Sequence, residues 1–133
     1  MIKIYTDGGY SRKQDSGSWG WAISKKEFDS GQVKGTTNNR MELVAVIRAI
    51  IYAKSTYSDK PIKVYSDSKY CVNGFSEWMY NWQSYGWTKK GKLLNEDLWR
   101  TLYSLRSGVE LEWVKGHSDN DMNNFVDSIC VNY

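Results

Sequence analysis

Two hydrophobic periodicities divide the chain. Apolar and polar side chains alternate in residues 2–7 and 19–25, and more weakly in 28–34. Alternation with a period of two is typical of strands that bury one face, so these segments predict an antiparallel meander of three strands. Glycines at positions 8 and 9 predict a sharp turn, which leaves Asp7 at the carboxyl end of the first strand and residues 10–18 in a polar loop.

The period changes to 3.6 in residues 38–54. The apolar stripe of this segment consists of Leu43, Val46, Ile47 and Ile50. Side chains that can cap a helix stand at its start, namely Thr36, Thr37 and Asn38. Glu42 is therefore expected in the first turn of a long helix. A strand at 62–66 follows, and the order strand–helix–strand predicts a right-handed parallel crossover.

Helical and extended patterns alternate in the second half of the chain. Residues 68–82 predict short helices interrupted at Gly74, and 83–92 form a basic loop. A helix capped by Asn95 is expected to end at Gly108, followed by a strand at 109–115 and a last helix after an approximate capping box at 118–121. These elements predict an α/β fold in one domain, 1–133: a five-stranded mixed sheet with three antiparallel strands, then two parallel strands, flanked by helices.

Composition adds few constraints on function. The chain of 133 residues is 41% hydrophobic with a formal charge of +3, which is ordinary for a globular protein and too small to establish a polyanionic partner. Two cysteines without metal-ligand spacing, Cys71 and Cys130, predict reduced thiols in a cytoplasmic protein. No charged leader precedes an apolar run, and Arg48 interrupts the best hydrophobic segment, so neither a secretory signal nor a membrane span is expected.

A repeated sequence motif suggests a metal site. Tyr5-Thr6-Asp7 and Tyr65-Ser66-Asp67 both end a predicted strand in a carboxylate. Adjacent strand ends would bring Asp7 and Asp67 together, and like carboxylates repel unless a cation lies between them. With Glu42 and Asp127 they form a set of hard oxygen ligands suited to Mg²⁺ or Mn²⁺, and two such ions about 3.5–4 Å apart serve phosphodiester hydrolysis. From these residues alone, an alternative stays open: Asp67 caps a helix and Asp7 stabilises a turn.

Four motifs, in order along nearly the whole chain, resemble those of the type 1 ribonuclease H family. They are Tyr5-Thr6-Asp7-Gly8, Thr36-Thr37-Asn38-Asn39-Arg40-Met41-Glu42-Leu43, Tyr65-Ser66-Asp67-Ser68, and Trp113-Val114-Lys115-Gly116-His117 with Asp127 ten residues on. The second and fourth are highly specific. The resemblance implies a ribonuclease H-like fold and an endonuclease that cuts the RNA strand of RNA–DNA hybrids, leaving 5′-phosphate and 3′-hydroxyl ends.

The resemblance also implies roles for individual residues at the catalytic centre. Asp7, Glu42, Asp67 and Asp127 match the acids that hold two Mg²⁺ ions in the family, with Mn²⁺ as an alternative. His117 matches a loop histidine that assists proton transfer or product release. A lone histidine is otherwise an incidental loop residue, but its position before the Asp127 helix favours the auxiliary catalytic role.

Substrate contacts are implied in the same way. Asn38 and Asn39 match positions that contact the minor groove, where 2′-hydroxyls distinguish RNA, and helix capping by Asn38 is compatible with that role. Thr37 and Asn95 match a pocket for a DNA phosphate. The family often places an arginine in that pocket where this chain has Gly35, and Lys34 is a candidate substitute.

A basic protrusion that holds the DNA strand is the last implied feature. Its matching residues are Trp78, Trp82, Trp87, Lys89, Lys90 and Lys92. Phosphate contacts and flat aromatic surfaces give binding of this kind that does not depend on base sequence. The alternative is that Trp78 and Trp82 are simply packed. The first loop, with Arg12 and Lys13, lacks the family's usual Gly/Pro-rich character, so no role is carried over to it.

The sequence thus predicts a monomeric, metal-dependent endoribonuclease acting on RNA–DNA hybrids. Two alternatives stay open. Another nuclease of the same superfamily shares carboxylates at strand ends but lacks the motif at 36–43, and a non-catalytic hybrid-binding module is expected to have lost at least one of the four acids.

Overall fold

A five-stranded mixed sheet forms the centre of the computed structural model, which describes residues 1–87, 93–116 and 120–130. The strands are β1 (Ile2–Ser11), β2 (Ser16–Ser24), β3 (Glu27–Val33), β4 (Ile62–Ser66) and β5 (Val109–Trp113). Their order is β3-β2-β1-β4-β5; β1 to β3 pair antiparallel, whereas β1, β4 and β5 run parallel. The predicted fold class is confirmed.

Strand β1 continues through both glycines instead of turning there. It pairs with β2 as far as Ser11 opposite Ser16, so the turn predicted at 8 and 9 is wrong, and the connection occupies only 12–15. The parallel pairing of β1 with β4, in contrast, stops at Thr6 opposite Ser66. Asp7 and Asp67 each follow this last parallel pair, so the predicted meeting of the two carboxylates does not depend on a turn.

Within the described residues, five α-helices accompany the sheet. They are α1 (Asn38–Thr56), α2 (Lys69–Asn73), α3 (Met79–Ser84), α4 (Glu96–Ser104) and α5 (Asp121–Cys130), with a π-helical turn at Gly74–Trp78. The Thr37 hydroxyl caps α1 as predicted, accepting a hydrogen bond from the Arg40 amide at 3.2 Å. Glu42 is the fifth residue of α1 and lies in its second turn, so the expectation of the first turn is wrong. No helix in the described ranges is long and apolar enough to cross a membrane.

The apolar face of α1 packs on the sheet and supplies much of the core. The predicted stripe is confirmed, because Leu43, Val46, Ile47 and Ile50 are all buried. They lie in one cluster with Ile4 of β1 and other buried side chains. Burial of four such side chains contributes roughly 6–12 kcal/mol before conformational entropy is subtracted. This packing holds α1 against β1, and with it Glu42 against Asp7.

Gly74 continues the helical path instead of interrupting it. Its backbone has helical angles (φ −64°, ψ −41°), and a Cβ there would lie 2.0 Å from Cη2 of Trp99, whose side chain is fully buried. The glycine therefore serves a close approach to Trp99 rather than a break. The local widening to a π turn is the distortion of the helix at this point.

Candidate active site

Asp7 lies in β1 beside the carboxyl end of β4 and is almost shielded from solvent. Its residue is 8% exposed, and its Oδ1 accepts a hydrogen bond from the Gly8 amide at 2.9 Å. This bond fixes the carboxylate against the strand that carries it.

Gly8 allows α1 to approach β1 closely enough to bring in Glu42. A Cβ at position 8 would lie 2.4 Å from the carbonyl carbon of Met41 and 2.5 Å from the amide nitrogen of Glu42. Only a residue without a side chain fits at this distance, since real Cβ contacts essentially never fall below 3.0 Å. Glu42 is consequently 8% exposed and faces Asp7 across a narrow gap.

Asp67 is positioned by β4 and by the segment that follows β5. The Val114 amide donates to the Ser66 carbonyl at 2.9 Å, and the Trp113 indole donates to the Asp67 carbonyl at 3.1 Å. Gly116 adds a second close approach, because a Cβ there would lie 2.9 Å from Asp67 Oδ2. The Trp-Val-Lys-Gly motif thus packs beside the carboxylate and leaves it room.

Three carboxylates converge at this point. One oxygen each from Asp7, Glu42 and Asp67 lies within 4.8 Å of the others. Glu42 Oε1 and Asp67 Oδ1 are shielded from solvent and have no hydrogen-bond partner among the described residues. Buried polar atoms are nearly always satisfied, so these two oxygens call for a ligand that is positively charged. The donor set is all oxygen and carries three negative charges, which fits a hard divalent cation.

The pKa values of the site reflect burial of its carboxyl groups and repulsion between their charges. Burial, then the hydrogen bond to Asp127 and the negative charges of Asp67 and Asp127, raise the pKa of Asp7 to about 8. Burial and the charges of Asp7 and Asp67 raise the pKa of Glu42 well above its ordinary value. The arrangement is unfavourable for anions without a counter-charge, and a bound cation would remove the repulsion.

The fourth acid, Asp127, lies on α5 next to Asp7. It is half-buried and close enough to hydrogen-bond to the Asp7 carboxyl group, but it is not one of the three mutually close ligands. Asn123, one turn earlier on the same helix, is 3% exposed. The face with Asn123 and Asp127 therefore packs towards β1. Asn120 anchors this helix start, because its Oδ1 accepts from the Asn123 amide at 3.0 Å.

The predicted minor-groove residues stand at the exposed start of α1. Asn38 Oδ1 accepts a hydrogen bond from the Tyr10 amide at 2.9 Å. The carbonyl oxygen of this side chain is thus engaged within the protein, and its NH₂ group is the part available to a ligand. Asn39 and Thr37 are exposed beside it.

The predicted phosphate pocket contains a network that sequence reasoning missed. Asn95 is buried; its Oδ1 accepts from Arg40 Nη1 at 3.2 Å and its Nδ2 donates to the Tyr70 hydroxyl at 3.1 Å. Tyr70 also accepts from the Trp99 indole at 3.0 Å. Arg40 forms a two-bond ion pair with Asp97, at 2.8 and 3.0 Å. The sequence feature that could have indicated this network is Arg40, which lies within the specific motif at 36–43.

The structure places Trp78 and Trp82 in an aromatic cluster. Both are half-buried; Trp78 lies against Tyr70 with ring centroids 6.0 Å apart, and Trp82 lies against Trp99 at 5.4 Å. These contacts favour the packing alternative, and any role of the exposed ring edges in binding stays a prediction. Four other predicted site residues, His117, Lys89, Lys90 and Lys92, lie outside the described residues.

Comparison with known proteins places the chain among ribonucleases. The family model RNase H matches residues 1–132. A ribonuclease H of Treponema denticola is 39% identical over 98% of this chain and 94% of its own length, and one of a Thermoanaerobacter species is 41% identical over 98% and 88%. Among solved structures, LC9-RNase H1, a type 1 RNase H with the type 2 active-site motif, superposes with a TM-score of 0.78 at 27% identity, covering 97% of this chain and 69% of that one.

Proposed function

Because the chain belongs to the RNase H family, it is a metal-dependent endonuclease that hydrolyses the RNA strand of RNA–DNA hybrids, and we propose that Asp7, Glu42, Asp67 and Asp127 are its catalytic acids. The resemblance found in the sequence is thereby confirmed. The observation that carries the residue assignment is the group of three carboxylates whose oxygens lie within 4.8 Å of one another, two of them buried without partners.

The metal is proposed to be Mg²⁺, as two ions, with Mn²⁺ as an alternative. Asp7, Glu42 and Asp67 would hold one ion directly, and Asp127, next to Asp7, would help to hold the second. Such ions supply Lewis acidity: they lower the pKa of the attacking water and neutralise charge on the leaving 3′ oxygen.

The protein's own contribution is to hold its acids in the correct place, while their ionisation is opposed by burial and mutual repulsion and would be favoured by a bound cation. The Gly8 amide favours the ionised form of Asp7 and orients one of its oxygens. The close contacts of Gly8 with α1 and of Gly116 with Asp67 keep the three carboxylates at one point. Precise placement of this kind accounts for a large share of catalysis in phosphoryl transfer. His117, which precedes α5 in the sequence, is proposed to assist proton transfer or product release.

Discrimination of RNA from DNA is proposed to lie with Asn38 and Asn39. The hydrogen bond from the Tyr10 amide to Asn38 Oδ1 fixes the orientation of this side-chain amide, whose NH₂ group supplies two donors. A donor matches the 2′ oxygen and the acceptors that bases present in the minor groove. The orientation imposed on this side chain would therefore favour a strand that carries ribose.

Phosphate binding is proposed for the open groove lined by Thr37, Arg40, Leu94 and Asn95. Thr37 retains a hydroxyl proton to donate. Asn95 uses both ends of its amide inside the protein, so its role would be to hold Arg40 and Tyr70 rather than to supply most of the binding energy. The protrusion residues Lys89, Lys90, Lys92, Trp78 and Trp82 remain proposed contacts to the DNA strand. A single domain spanning 1–133, a monomeric state and a cytoplasmic location also stay predictions.

The test is the Asp7→Asn variant against an RNA–DNA hybrid, an RNA duplex and single-stranded RNA, each with Mg²⁺ or with chelator. We expect the wild type to cut the hybrid alone and only with metal, and Asp7→Asn to bind the hybrid but not cut it. Asp59→Asn is the matched control, since Asp59 is exposed in a turn at the other end of the sheet and asparagine tolerates its left-handed φ of 75°.

A stability measurement accompanies the cleavage assay. Without metal, Asp7→Asn should unfold at a higher temperature than the wild type, because one of the repelling charges is gone. With Mg²⁺ the difference in unfolding temperature should become smaller or change sign, because the wild type is stabilised more by the ion. Cleavage of the hybrid by Asp7→Asn at the wild-type rate would refute the assignment.

A further inference from the structure

The connection between β1 and β2 carries basic side chains that the proposed active site does not use. Residues 12–15 form this turn, and Arg12 and Lys13 in it are exposed. Lys34, exposed in the segment between β3 and α1, is the third cation; the resemblance made it a candidate for the DNA phosphate pocket, and it is assigned to this surface instead. We call Arg12, Lys13 and Lys34 the basic tip.

Asp15 ties the turn to the segment that leads into α1. Its Oδ1 accepts hydrogen bonds from the Tyr10 hydroxyl at 2.7 Å and from the Gly35 amide at 3.1 Å. Asp15 and Gly35 both have a left-handed backbone, with φ of 46° and 63°. For aspartate this conformation is uncommon and costs free energy, so the two hydrogen bonds at this point hold an otherwise unfavourable turn. We call this contact the Asp15 bridge.

The basic tip carries an excess of positive charge. In the described part of the chain, none of its three cations forms an ion pair with a carboxylate within 4.0 Å. The one acid built into the turn, Asp15, is engaged by the Tyr10 hydroxyl and the Gly35 amide, which lower its pKa and keep it ionised. Three cations against one carboxylate leave a net positive surface suited to a polyanion.

The tip lies on the side of the molecule where the hybrid is proposed to bind. The Tyr10 amide is bonded to Asn38, so the end of β1 rests against the start of α1. Strand β1 extends four residues beyond Asp7 to Ser11, about 13 Å at 3.3 Å per residue, and Arg12 comes next, so it lies up to about 16 Å from Asp7. With phosphates of one strand spaced roughly 3.4 Å apart along a duplex axis, this distance corresponds to about five base pairs.

We propose that the basic tip binds backbone phosphates of the hybrid about five base pairs from the scissile phosphate, and that the Asp15 bridge holds it in position to do so. This inference rests on the proposed function, because it takes the hybrid to lie across Asp7 and Asn38. It assigns a substrate contact to a loop that departs from the family pattern. The contact is to phosphate and is expected to be independent of base sequence.

The experiment compares two triple variants that remove the same charge. One is Arg12→Ala/Lys13→Ala/Lys34→Ala. The control is Lys3→Ala/Lys26→Ala/Lys60→Ala, which removes three exposed lysines near the end of the sheet opposite the carboxyl end of β4. Binding is measured in the Asp7→Asn background by fluorescence anisotropy. Two hybrids are used, one of about 18 base pairs and one of about 8 base pairs centred on a single cleavage position. At roughly 3.4 Å per base pair, the short hybrid lacks the phosphates that the basic tip would reach.

We expect the basic-tip variant to lose affinity for the long hybrid and to show a shallower salt dependence. For two to three lost phosphate contacts, the affinity ratio of parent to variant should fall by about 12-fold to 40-fold between 50 and 200 mM salt. On the short hybrid the variant should match the control. In the cleaving background, KM for the long hybrid should rise while kcat changes less than about twofold, as expected for a contact remote from the chemistry.

The Asp15 bridge is tested by Asp15→Ala against Asp15→Asn. Both remove the same charge, but asparagine keeps an acceptor for the Gly35 amide and the Tyr10 hydroxyl. We expect Asp15→Asn to bind the long hybrid more tightly than Asp15→Ala. Equal affinity of the two would overturn the positioning role.

The experiment distinguishes failure of the proposed function from failure of the inference about the basic tip. A wild type that cuts neither hybrid with Mg²⁺ would overturn the proposed function. A wild type that cuts both, with a basic-tip variant whose affinity and salt dependence equal those of the charge-matched control, would leave the function standing and overturn the inference about the tip.

Discussion

Replacement of Gly8 by alanine tests how the active site is assembled. The added Cβ would stand 2.4 Å from the Met41 carbonyl carbon and 2.5 Å from the Met41 carbonyl oxygen and the Glu42 amide nitrogen. All three are backbone atoms of α1, so no side chain can rotate out of the way. Ordinary contact begins at 3.4 Å, which leaves a shortfall of 1.0 Å.

The start of α1 must therefore move away from β1 by about this distance, and Glu42 moves with it. A displacement of about 1 Å in a catalytic constellation costs on the order of 10²-fold in rate. Overpacking at a buried contact typically lowers the free energy of unfolding by about 1–3 kcal/mol. We expect Gly8→Ala to show both effects, and also a weaker stabilisation by Mg²⁺ than the wild type shows.

Gly20→Ala provides the control. Gly20 lies opposite Asp7 on β2, but a Cβ there would first meet Ile129 Cγ1, at 3.4 Å, an ordinary contact. Replacing a strand glycine that has room for a methyl group is neutral or stabilises by about 0.4–1 kcal/mol. This variant should cleave the hybrid within about twofold of the wild type.

The assays are single-turnover cleavage of a labelled hybrid and urea unfolding with and without Mg²⁺, at a temperature where all three proteins are folded. If Gly8→Ala cut the hybrid as fast as Gly20→Ala, the close contact between β1 and α1 would not set the geometry of Asp7 and Glu42. If Gly8→Ala lost stability but kept full activity, the expected overpacking would be confirmed and the expected displacement of Glu42 from Asp7 would be wrong.

Two further predictions concern stability. Gly74→Ala should lower the free energy of unfolding by about 1–3 kcal/mol, since its Cβ would lie 2.0 Å from the fully buried Trp99 ring, and urea unfolding beside Gly20→Ala would show it. Glu27 accepts hydrogen bonds from Tyr52 and Tyr57, which lower its pKa. Its contribution to the stability of the folded protein is therefore present above its ordinary pKa of 4.5 and is lost as pH falls through the lower folded-state pKa. The difference in melting temperature between wild type and Glu27→Gln should therefore be present at pH 7 and shrink progressively as pH falls below 4.5; a difference independent of pH would contradict it.

The sequence by itself predicted the elements and named the four acids that are proposed to be catalytic. Periodicity of two and of 3.6 located the strands and α1, because the side-chain spacing that buries one face is a local property of each element. The Thr37 cap was predictable for the same reason. The acids followed from the family motifs, and the repeated strand-end phrase had already suggested that Asp7 and Asp67 meet.

Contacts between distant segments decided what the local pattern could not. Gly8 and Gly9 predicted a turn by their conformational freedom, but β2 pairs with β1 through both of them, and Gly8 is needed because α1 lies against it. Asn123 is of a residue type that is mostly exposed, yet it is 3% exposed on α5, the helix that packs against β1 and β2. The Asp15 bridge joins two loops twenty residues apart. In each case the deciding neighbour is remote along the chain and close in space, so only the tertiary structure could supply it.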